Sequence, residues 1–268
     1  MTAPSDTVLL TRSGDVAILT LNRPDAGNAI DLAMAAALRR HAETLVAGDW
    51  ARAVVLRSNG RLFCGGGDVA AFRHELDSGD ASRFTALIAE LVGELHKGLS
   101  TLLSLDAPVI AAVHGTAAGA GMSVALAADF TYARPSAKFV PAYPGIGFSA
   151  DGGMSWFLPR IVGGRRAAQI ILTNEVLDAA AAASAGIVTE VITDDDFDAA
   201  VLAKAHALAK GPRRAMGVVR RLISRSLDTP LNDQLVAEAA GMVALSASSD
   251  VAEGLMALRD RREPRFND

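Results

Sequence analysis

Hydrophobic positions at the start of the chain follow two different spacings. Residues 8–10 and Val16–Leu21 are short β-rich runs, and the turn between them, Arg-Ser-Gly-Asp, predicts an opening hairpin. From residue 32 to residue 46 the apolar side chains recur at the period of an amphipathic helix. Asp31, of a residue type that caps helices, comes directly before this run. We therefore expect a hairpin followed by a capped helix.

The next part of the chain continues the alternation of strand and helix. Residues 53–56 and 108–113 are continuous apolar runs typical of buried strands, and residues 83–105 have the pattern of a long amphipathic helix. Residues 117–128 are rich in Ala and Gly and predict a tightly packed helix, which residues 129–133 follow as a strand. This alternation favours an α/β fold.

The second half of the chain contains first a segment rich in Gly and Pro and then a series of helical patterns. Residues 139–153 contain too many Gly and Pro for one helix, so we expect loops or short turns that line a site. A final strand at residues 188–192 closes the α/β part, and four helical patterns follow it, at residues 195–210, 212–226, 231–246 and 251–262. We accordingly predict a core of residues 1–194 and a helical region of residues 195–268. The additional apolar faces of these helices would either form an oligomer interface or pack against the same chain, and the spacing alone favours neither explanation.

Composition and charge narrow the function classes. The 268 residues carry a net charge of −4, which gives no electrostatic reason to expect a nucleic acid as partner. Charged residues or Gly interrupt every apolar run before the length of a membrane span, so we expect no membrane association. Cys64 is the only cysteine, which excludes an intramolecular disulfide and fits a reducing compartment. Because the N-terminus also lacks the pattern of an export signal, we expect a soluble, cytoplasmic protein.

Two glycine-rich turns follow apolar segments and are candidate anion sites. They are Phe-Cys-Gly-Gly-Gly-Asp at residues 63–68 and His-Gly-Thr-Ala-Ala-Gly-Ala-Gly at residues 114–121. Backbone N–H groups at such turns lack helical acceptors, and glycine lets a ligand oxygen approach them closely. If two of these donors converge on one carbonyl group, they form an oxyanion hole. For a single turn of this kind, tight packing without any ligand is the commoner explanation.

Other common site chemistries find little support. Neither turn contains a P-loop, and no strand leads into G-x-G-x-x-G, which disfavours nucleotide hydrolysis and NAD binding. Ser149 lies in a Gly-rich segment, but the G-x-S-x-G elbow of the hydrolases is absent. The five histidines include no H-E-x-x-H pair, so we expect no metal site.

Taken in order, these pieces resemble the crotonase superfamily of enoyl-CoA hydratases and isomerases over nearly the whole chain. The matching segments begin with Leu-Asn-Arg-Pro at residues 21–24 and Asn-Ala at residues 28–29, and they include both glycine-rich turns. Further matches follow at residues 152–160, 185–188 and 253–254, and then at Pro264 and Phe266. Each match alone is weak, but their order and spacing together are specific.

The resemblance implies a fold and a ligand. The fold would be an α/β crotonase-like spiral of ββα units with the site for a CoA ester, followed by a helical trimerisation region that assembles trimers or hexamers. The family's two oxyanion donors map onto the N–H groups of Gly67 and Ala120. Contacts with the substrate are implied for five residues: Arg23, Ala26, Gly65, Asp68 and Tyr143. No metal or redox cofactor is implied, because coenzyme A is part of the substrate.

The sequence departs from the family pattern at the residues that determine the reaction. Hydratases of this family activate water with two glutamates, and those positions align with Ser123 and Tyr143. A hydroxyl group is a far weaker base than a carboxylate at neutral pH. Asp151 aligns with the nucleophile of the dehalogenase branch and with the acid/base aspartate of phenylacetate-pathway isomerases. The structural alternative for Asp151 is a cap on the helix that begins near Gly152.

We therefore expect an enoyl-CoA isomerase in which Asp151 moves a proton along a dienolate. Phe148, Met154 and Trp156 are near Asp151 in sequence, and an apolar setting would suit a carboxyl group to proton transfer. Two alternatives stay open. One is an enoyl-CoA hydratase in which Asp151 alone activates water, and the other is a catalytically inactive acyl-CoA-binding protein.

Overall fold

The computed structural model describes residues 6–77, 79–193 and 195–266, and within them six strands form one sheet. The strands are β1 (Val8–Ser13), β2 (Val16–Leu21), β3 (Ala53–Ser58), β4 (Val109–Val113), β6 (Phe130–Ala133) and β9 (Glu190–Val191), in that spatial order. The pair β1 and β2 is the predicted antiparallel hairpin, and all later neighbours in this sheet pair in parallel. Parallel neighbours require crossover connections, which the intervening helices supply.

A second, small sheet lies where the glycine-rich turns are. Its three strands are β5 (Thr116–Ala118), β7 (Lys138–Val140) and β8 (Leu177–Asp178), in the order β5-β7-β8. The predicted helix over residues 117–128 is therefore wrong at its start, because residues 116–118 pair with β7 and the helix begins only at Ala120. A strand of three residues has too little periodicity to be distinguished from a helix in the sequence.

The helices of the described residues alternate with these strands and then follow them. The first seven are α1 (Leu32–Gly48), α2 (Val69–Asp77), α3 (Ala81–Leu103), α4 (Ala120–Leu126), α5 (Met154–Val162), α6 (Gly164–Leu172) and α7 (Ala179–Ser184). The last four are α8 (Phe197–Ala209), α9 (Arg213–Arg225), α10 (Leu231–Leu245) and α11 (Ser249–Asp260). The Asp31 carboxylate caps α1 by accepting a hydrogen bond from the N–H of Met34, as its position predicted.

Each face of the large sheet has its own core. In β2, Ala17, Leu19 and Leu21 belong to the main cluster with α1 and α3, whereas Val16 and Ile18 face the opposite side. The second cluster is completed by Phe197, Val201 and Ala205 of α8. Since successive side chains of a strand point to opposite faces, a fully buried β2 requires both layers. The first of the four C-terminal helices thus covers its own chain.

The remaining C-terminal helices leave apolar side chains in solvent. Ile223 of α9, Leu231 and Met242 of α10 and Leu258 of α11 are 67–77% exposed.

Asp194, the last residue of the predicted core, lies outside the described residues, and the division of the chain after it stays a prediction. Within the described residues no single helix has the length and hydropathy of a membrane span; only α10 and α11 taken together, across an 82° bend, meet those criteria.

Gly121 packs against the other glycine-rich turn without space for a side chain. A Cβ atom at this position would lie 2.6 Å from the Cβ atom of Cys64, which is fully buried. By contrast, Gly93 in the middle of α3 has no atom within 4 Å of an added Cβ.

We predict opposite effects of the same substitution at these two glycines. Gly121→Ala overpacks the contact and should lower the free energy of unfolding by about 1–3 kcal/mol. Gly93→Ala relieves a helix-interior glycine and should raise it by about 0.5–1 kcal/mol. Urea unfolding followed by circular dichroism measures both. Equal effects of the two substitutions would contradict the contact at Gly121.

Candidate active site

Backbone hydrogen bonds hold the two glycine-rich turns side by side. The N–H of Cys64 donates to the carbonyl oxygen of Thr116 at 3.1 Å, and the N–H of Ala118 donates to that of Cys64 at 2.9 Å. Beyond this bridge the turns remain in contact, since a Cβ atom on Gly119 would lie 3.6 Å from the Cα atom of Gly66. Gly119 has a φ of +51°, a conformation that residues other than glycine rarely adopt. The two glycine-rich turns, which the family resemblance paired as one site, are thus in direct contact in the structure.

Two N–H groups at this junction have no acceptor among the described residues. The residues on either side of Gly67 are hydrogen-bonded to Ile30. The N–H of Ile30 donates to the carbonyl oxygen of Gly66 at 2.7 Å, and the N–H of Asp68 donates to the carbonyl oxygen of Ile30 at 3.1 Å. The Gly67 N–H itself has no partner there. Ala120 is the first residue of α4, where an N–H has no intrahelical acceptor. Both residues line one cavity.

This cavity, which we call the junction cavity, has a volume of about 300 Å³ and mainly apolar walls. Phe72 and Phe148 meet edge to face at a centroid distance of 6.2 Å, and the Phe72 ring packs directly against Gly67. Helix α3 contributes Leu91 and other aliphatic side chains. The apolar lining consists of Ile30, Val69, Phe72, Ile88, Leu91, Val92, Leu95, Ala120, Ala142, Ile146 and Phe148. Such a surface fits an acyl group better than a polar ligand.

Polar side chains of the junction cavity come from the segment between β7 and α5. They are Tyr143, Ser149 and Asp151, and Asp151 is the one carboxylate among the described lining residues. The hydroxyl of Tyr143 donates to Oδ1 of Asp151 and lies 3.1 Å from Oγ of Ser123. Oγ of Ser123 in turn donates to the main-chain oxygen of Asp151 at 2.8 Å. Ser123 and Tyr143, the residues predicted to align with the two glutamates, therefore come together, and both bond to Asp151.

Asp151 does not cap a helix. Gly153 occupies the cap position of α5, which has no side-chain cap hydrogen bond. Of the three apolar residues near Asp151 in sequence, Phe148 lines the junction cavity with it. Trp156 lies elsewhere, stacked under the guanidinium of Arg160 at 3.8 Å, and Met154 is buried without lining the cavity. The structural alternative of a helix cap is wrong, and the expected apolar surround is correct only for Phe148.

Of the residues predicted to contact coenzyme A, some line the junction cavity and others do not. Gly65 lines the junction cavity, and its N–H donates to Gly27 at 2.9 Å, next to the exposed Ala26. Arg23 does not line the cavity; its guanidinium pairs with Asp68 at 3.0 Å and Asp31 at 3.2 Å. The positive charge of Arg23 is thus already matched within the protein.

His96 was missed as a site residue by sequence reasoning. Its Nε2 atom accepts a hydrogen bond at 3.0 Å from the N–H of Gly152, the residue after Asp151. A single histidine on a long amphipathic helix has no sequence signal that distinguishes this role from a surface position. The apolar wall from α3 was missed for a similar reason, because periodicity predicts a buried face but not what it covers.

Burial raises the pKa of the Tyr143 phenol well above its ordinary value, and the negative charge of Asp151 raises this pKa further. Tyr143 therefore remains a hydrogen-bond donor to Asp151 throughout the neutral and mildly alkaline range. Burial is also the main cause of the raised pKa of Tyr132, the other tyrosine of the chain.

We predict that the folded protein shows little phenolate absorbance when titrated through pH 10, about the ordinary tyrosine pKa. In denaturant both tyrosines should titrate near that value. Tyr132→Phe leaves Tyr143 as the single phenol, so that its titration can be followed alone. A normal titration of Tyr143 in the folded variant would contradict its burial beside Asp151.

Comparison with known proteins agrees with this geometry. The family model described as "Enoyl-CoA hydratase/isomerase" matches residues 11–268. A Rhodobacter capsulatus protein named "Probable enoyl-CoA hydratase" is 39% identical, over 95% of both chains. The 1,2-epoxyphenylacetyl-CoA isomerase of Escherichia coli is 33% identical, over 94% of both. A crystal structure of an enoyl-CoA hydratase from Polaromonas superposes with a TM-score of 0.89 at 31% identity, covering 97% of this chain and 99% of that one. The chain belongs to the enoyl-CoA hydratase/isomerase family.

Proposed function

We propose that this member of the family is an enoyl-CoA isomerase that moves a double bond within an unsaturated acyl-CoA, with Asp151 as the acid/base. The observation that carries the proposal is one cavity that joins two N–H groups without acceptors, one carboxylate and apolar walls, as far as the described residues go. The reaction is a proton transfer through an enolate, so it needs a base near carbon and donors near oxygen. It requires no metal or redox cofactor, and coenzyme A enters as part of the substrate.

The thioester oxygen would accept hydrogen bonds from Gly67 and Ala120. These N–H groups are available because neither has an acceptor among the described residues. Negative charge develops on this oxygen as the enolate forms, and fixed donors stabilise it without reorganisation. Loss of one donor of this type typically costs about 10²- to 10³-fold in rate.

Asp151 would take a proton from C2 of a 3-enoyl thioester and return it to C4 of the dienolate. The C2–H bond breaks, the double bond moves into conjugation with the carbonyl, and the carboxyl group ends in its starting state. Oδ1 of Asp151 is engaged by Tyr143, whereas Oδ2 has no hydrogen-bond partner among the described residues. One oxygen is therefore oriented by the protein and the other is available to the substrate.

A hydratase is the second candidate, favoured by the name of the Rhodobacter relative. Ser123 and Tyr143 hold the positions of the two glutamates, and their hydroxyls bond to each other and to Asp151. Neither hydroxyl is a useful base at neutral pH. Hydration would therefore depend on Asp151 alone, without the second carboxylate.

The rest of the substrate would leave the cavity past Gly65 and Ala26. Gly65 lines the cavity and is exposed, and the turn Pro24–Ala26 lies beside it. Contacts with coenzyme A in this region would come largely from the backbone, because the charge of Arg23 is shared with Asp31 and Asp68. For assembly, we propose that other copies of the chain cover the exposed apolar side chains of α9, α10 and α11, as a trimer or hexamer.

We predict that Asp151→Asn lowers the turnover of a 3-enoyl-CoA by about 10²- to 10⁴-fold, the usual contribution of a general base. The shape of the side chain is retained, so affinity for the acyl-CoA should change little. The appearance of conjugated thioester absorbance measures isomerisation, and calorimetry measures binding. Glu90→Gln, the same chemical change at an exposed carboxylate of α3, is the matched control and should leave both unchanged.

The same assay separates the alternatives. Loss of conjugated absorbance from crotonyl-CoA, abolished by Asp151→Asn, would identify a hydratase. Tight binding without isomerisation or hydration in the unmodified protein would identify an inactive acyl-CoA-binding protein. Unchanged isomerisation by Asp151→Asn would contradict the acid/base role.

A further inference from the structure

His96 bonds to the peptide group that follows Asp151 and lies outside the lining of the junction cavity. It lies on α3, one residue after the cavity-lining Leu95, and does not line the cavity itself. His96 is exposed, and it lines a second, open cavity together with uncharged residues that include Leu99, Gly153 and Trp156. Direct contact between His96 and a substrate in the junction cavity is therefore not part of this arrangement.

The peptide unit between Asp151 and Gly152 is held at both of its polar atoms. Oγ of Ser123 donates to its oxygen at 2.8 Å, and Nε2 of His96 accepts from its N–H at 3.0 Å. These two bonds fix the plane of one peptide group. Because that plane is attached directly to the Cα atom of Asp151, it restricts the backbone from which the carboxylate projects, while the Tyr143 hydroxyl holds the carboxylate itself.

The chain at this point needs such a restraint. Gly152 and Gly153 both have positive φ, +58° and +84°, and glycine is the residue type with the most backbone freedom. A Cβ atom at Gly152 would lie 2.8 Å from that of Ser123, so a stiffer residue cannot replace it without displacement. The packing therefore demands a flexible residue beside Asp151, and the hydrogen bonds supply the rigidity.

We infer that His96 is a positioning residue for Asp151. The imidazole of His96 accepts a hydrogen bond from the Gly152 N–H, and this bond helps to orient the Asp151 carboxylate toward the substrate. This inference rests on the acid/base role proposed for Asp151. As acceptor, Nε2 carries no proton, so the proton of the neutral ring is on Nδ1. A displacement of about 1 Å in a reacting group can cost roughly 10²-fold in rate.

The kinetic test compares two replacements of His96. His96→Leu removes the acceptor, and we expect kcat to fall roughly 10²-fold while KM changes little, because the cavity walls and both oxyanion donors are untouched. His96→Gln places an amide oxygen near the position of Nε2 and should restore most of kcat. His74→Leu, at an exposed histidine of α2, is the matched control and should behave as the unmodified protein.

A second measurement does not depend on turnover. Hydrogen–deuterium exchange of a peptide fragment that spans Gly152 should be slow in the unmodified protein and in His96→Gln, and faster in His96→Leu. If His96→Leu does not fold, His96→Asn takes its place, since its shorter side chain does not reach Gly152.

The outcomes distinguish this inference from the proposed function. Unchanged exchange at Gly152 in His96→Leu, or equal losses of kcat in His96→Leu and His96→Gln, would overturn the positioning role. If Asp151→Asn retains full turnover, the acid/base proposal fails, and the exchange data still decide whether His96 holds Gly152.

Discussion

The site depends on the backbone bridge between the two glycine-rich turns. Cys64 exchanges hydrogen bonds with Thr116 and Ala118, and the turns continue side by side from that point. Gly67 and Ala120 thereby line the same cavity although they are far apart in sequence. The small residues at this junction are required by close packing, since a side chain at Gly121 would collide with Cys64. The donors of the proposed oxyanion hole are thus a consequence of backbone packing and need no dedicated side chain.

A second set of constraints determines what the donors can be used for. Asp151 is bound through its carboxylate by Tyr143 and through its main-chain oxygen by Ser123. In a two-glutamate hydratase these two positions would carry the water-activating carboxylates. In this chain Ser123 and Tyr143 carry hydroxyl groups, and both hydroxyls bond to Asp151. Under the proposed mechanism these two hydroxyls orient Asp151, and the carboxylate of Asp151 alone would act on the substrate.

The sequence predicted the features that depend on neighbouring residues and missed those that depend on contacts between residues far apart in the chain. The opening hairpin and the capped helix α1 were predicted correctly, because turn residues, periodicity and caps are local signals. The strand β5 was assigned to a helix, since its three residues are defined by pairing with β7 about twenty residues away. Helix α2 (Val69–Asp77) was not predicted. His96 could not be identified, because its role arises from a contact with Gly152 across 56 positions.

One measurement tests the central claim most directly: a crystal structure of Asp151→Asn with an unsaturated acyl-CoA bound. The account predicts that the thioester oxygen lies about 2.7–3.1 Å from the nitrogen atoms of both Gly67 and Ala120, the range for an oxyanion hole. It also predicts that the side chain at position 151 faces the carbon atoms between C2 and C4. A thioester oxygen bonded to neither amide, or an acyl group outside the junction cavity, would contradict it.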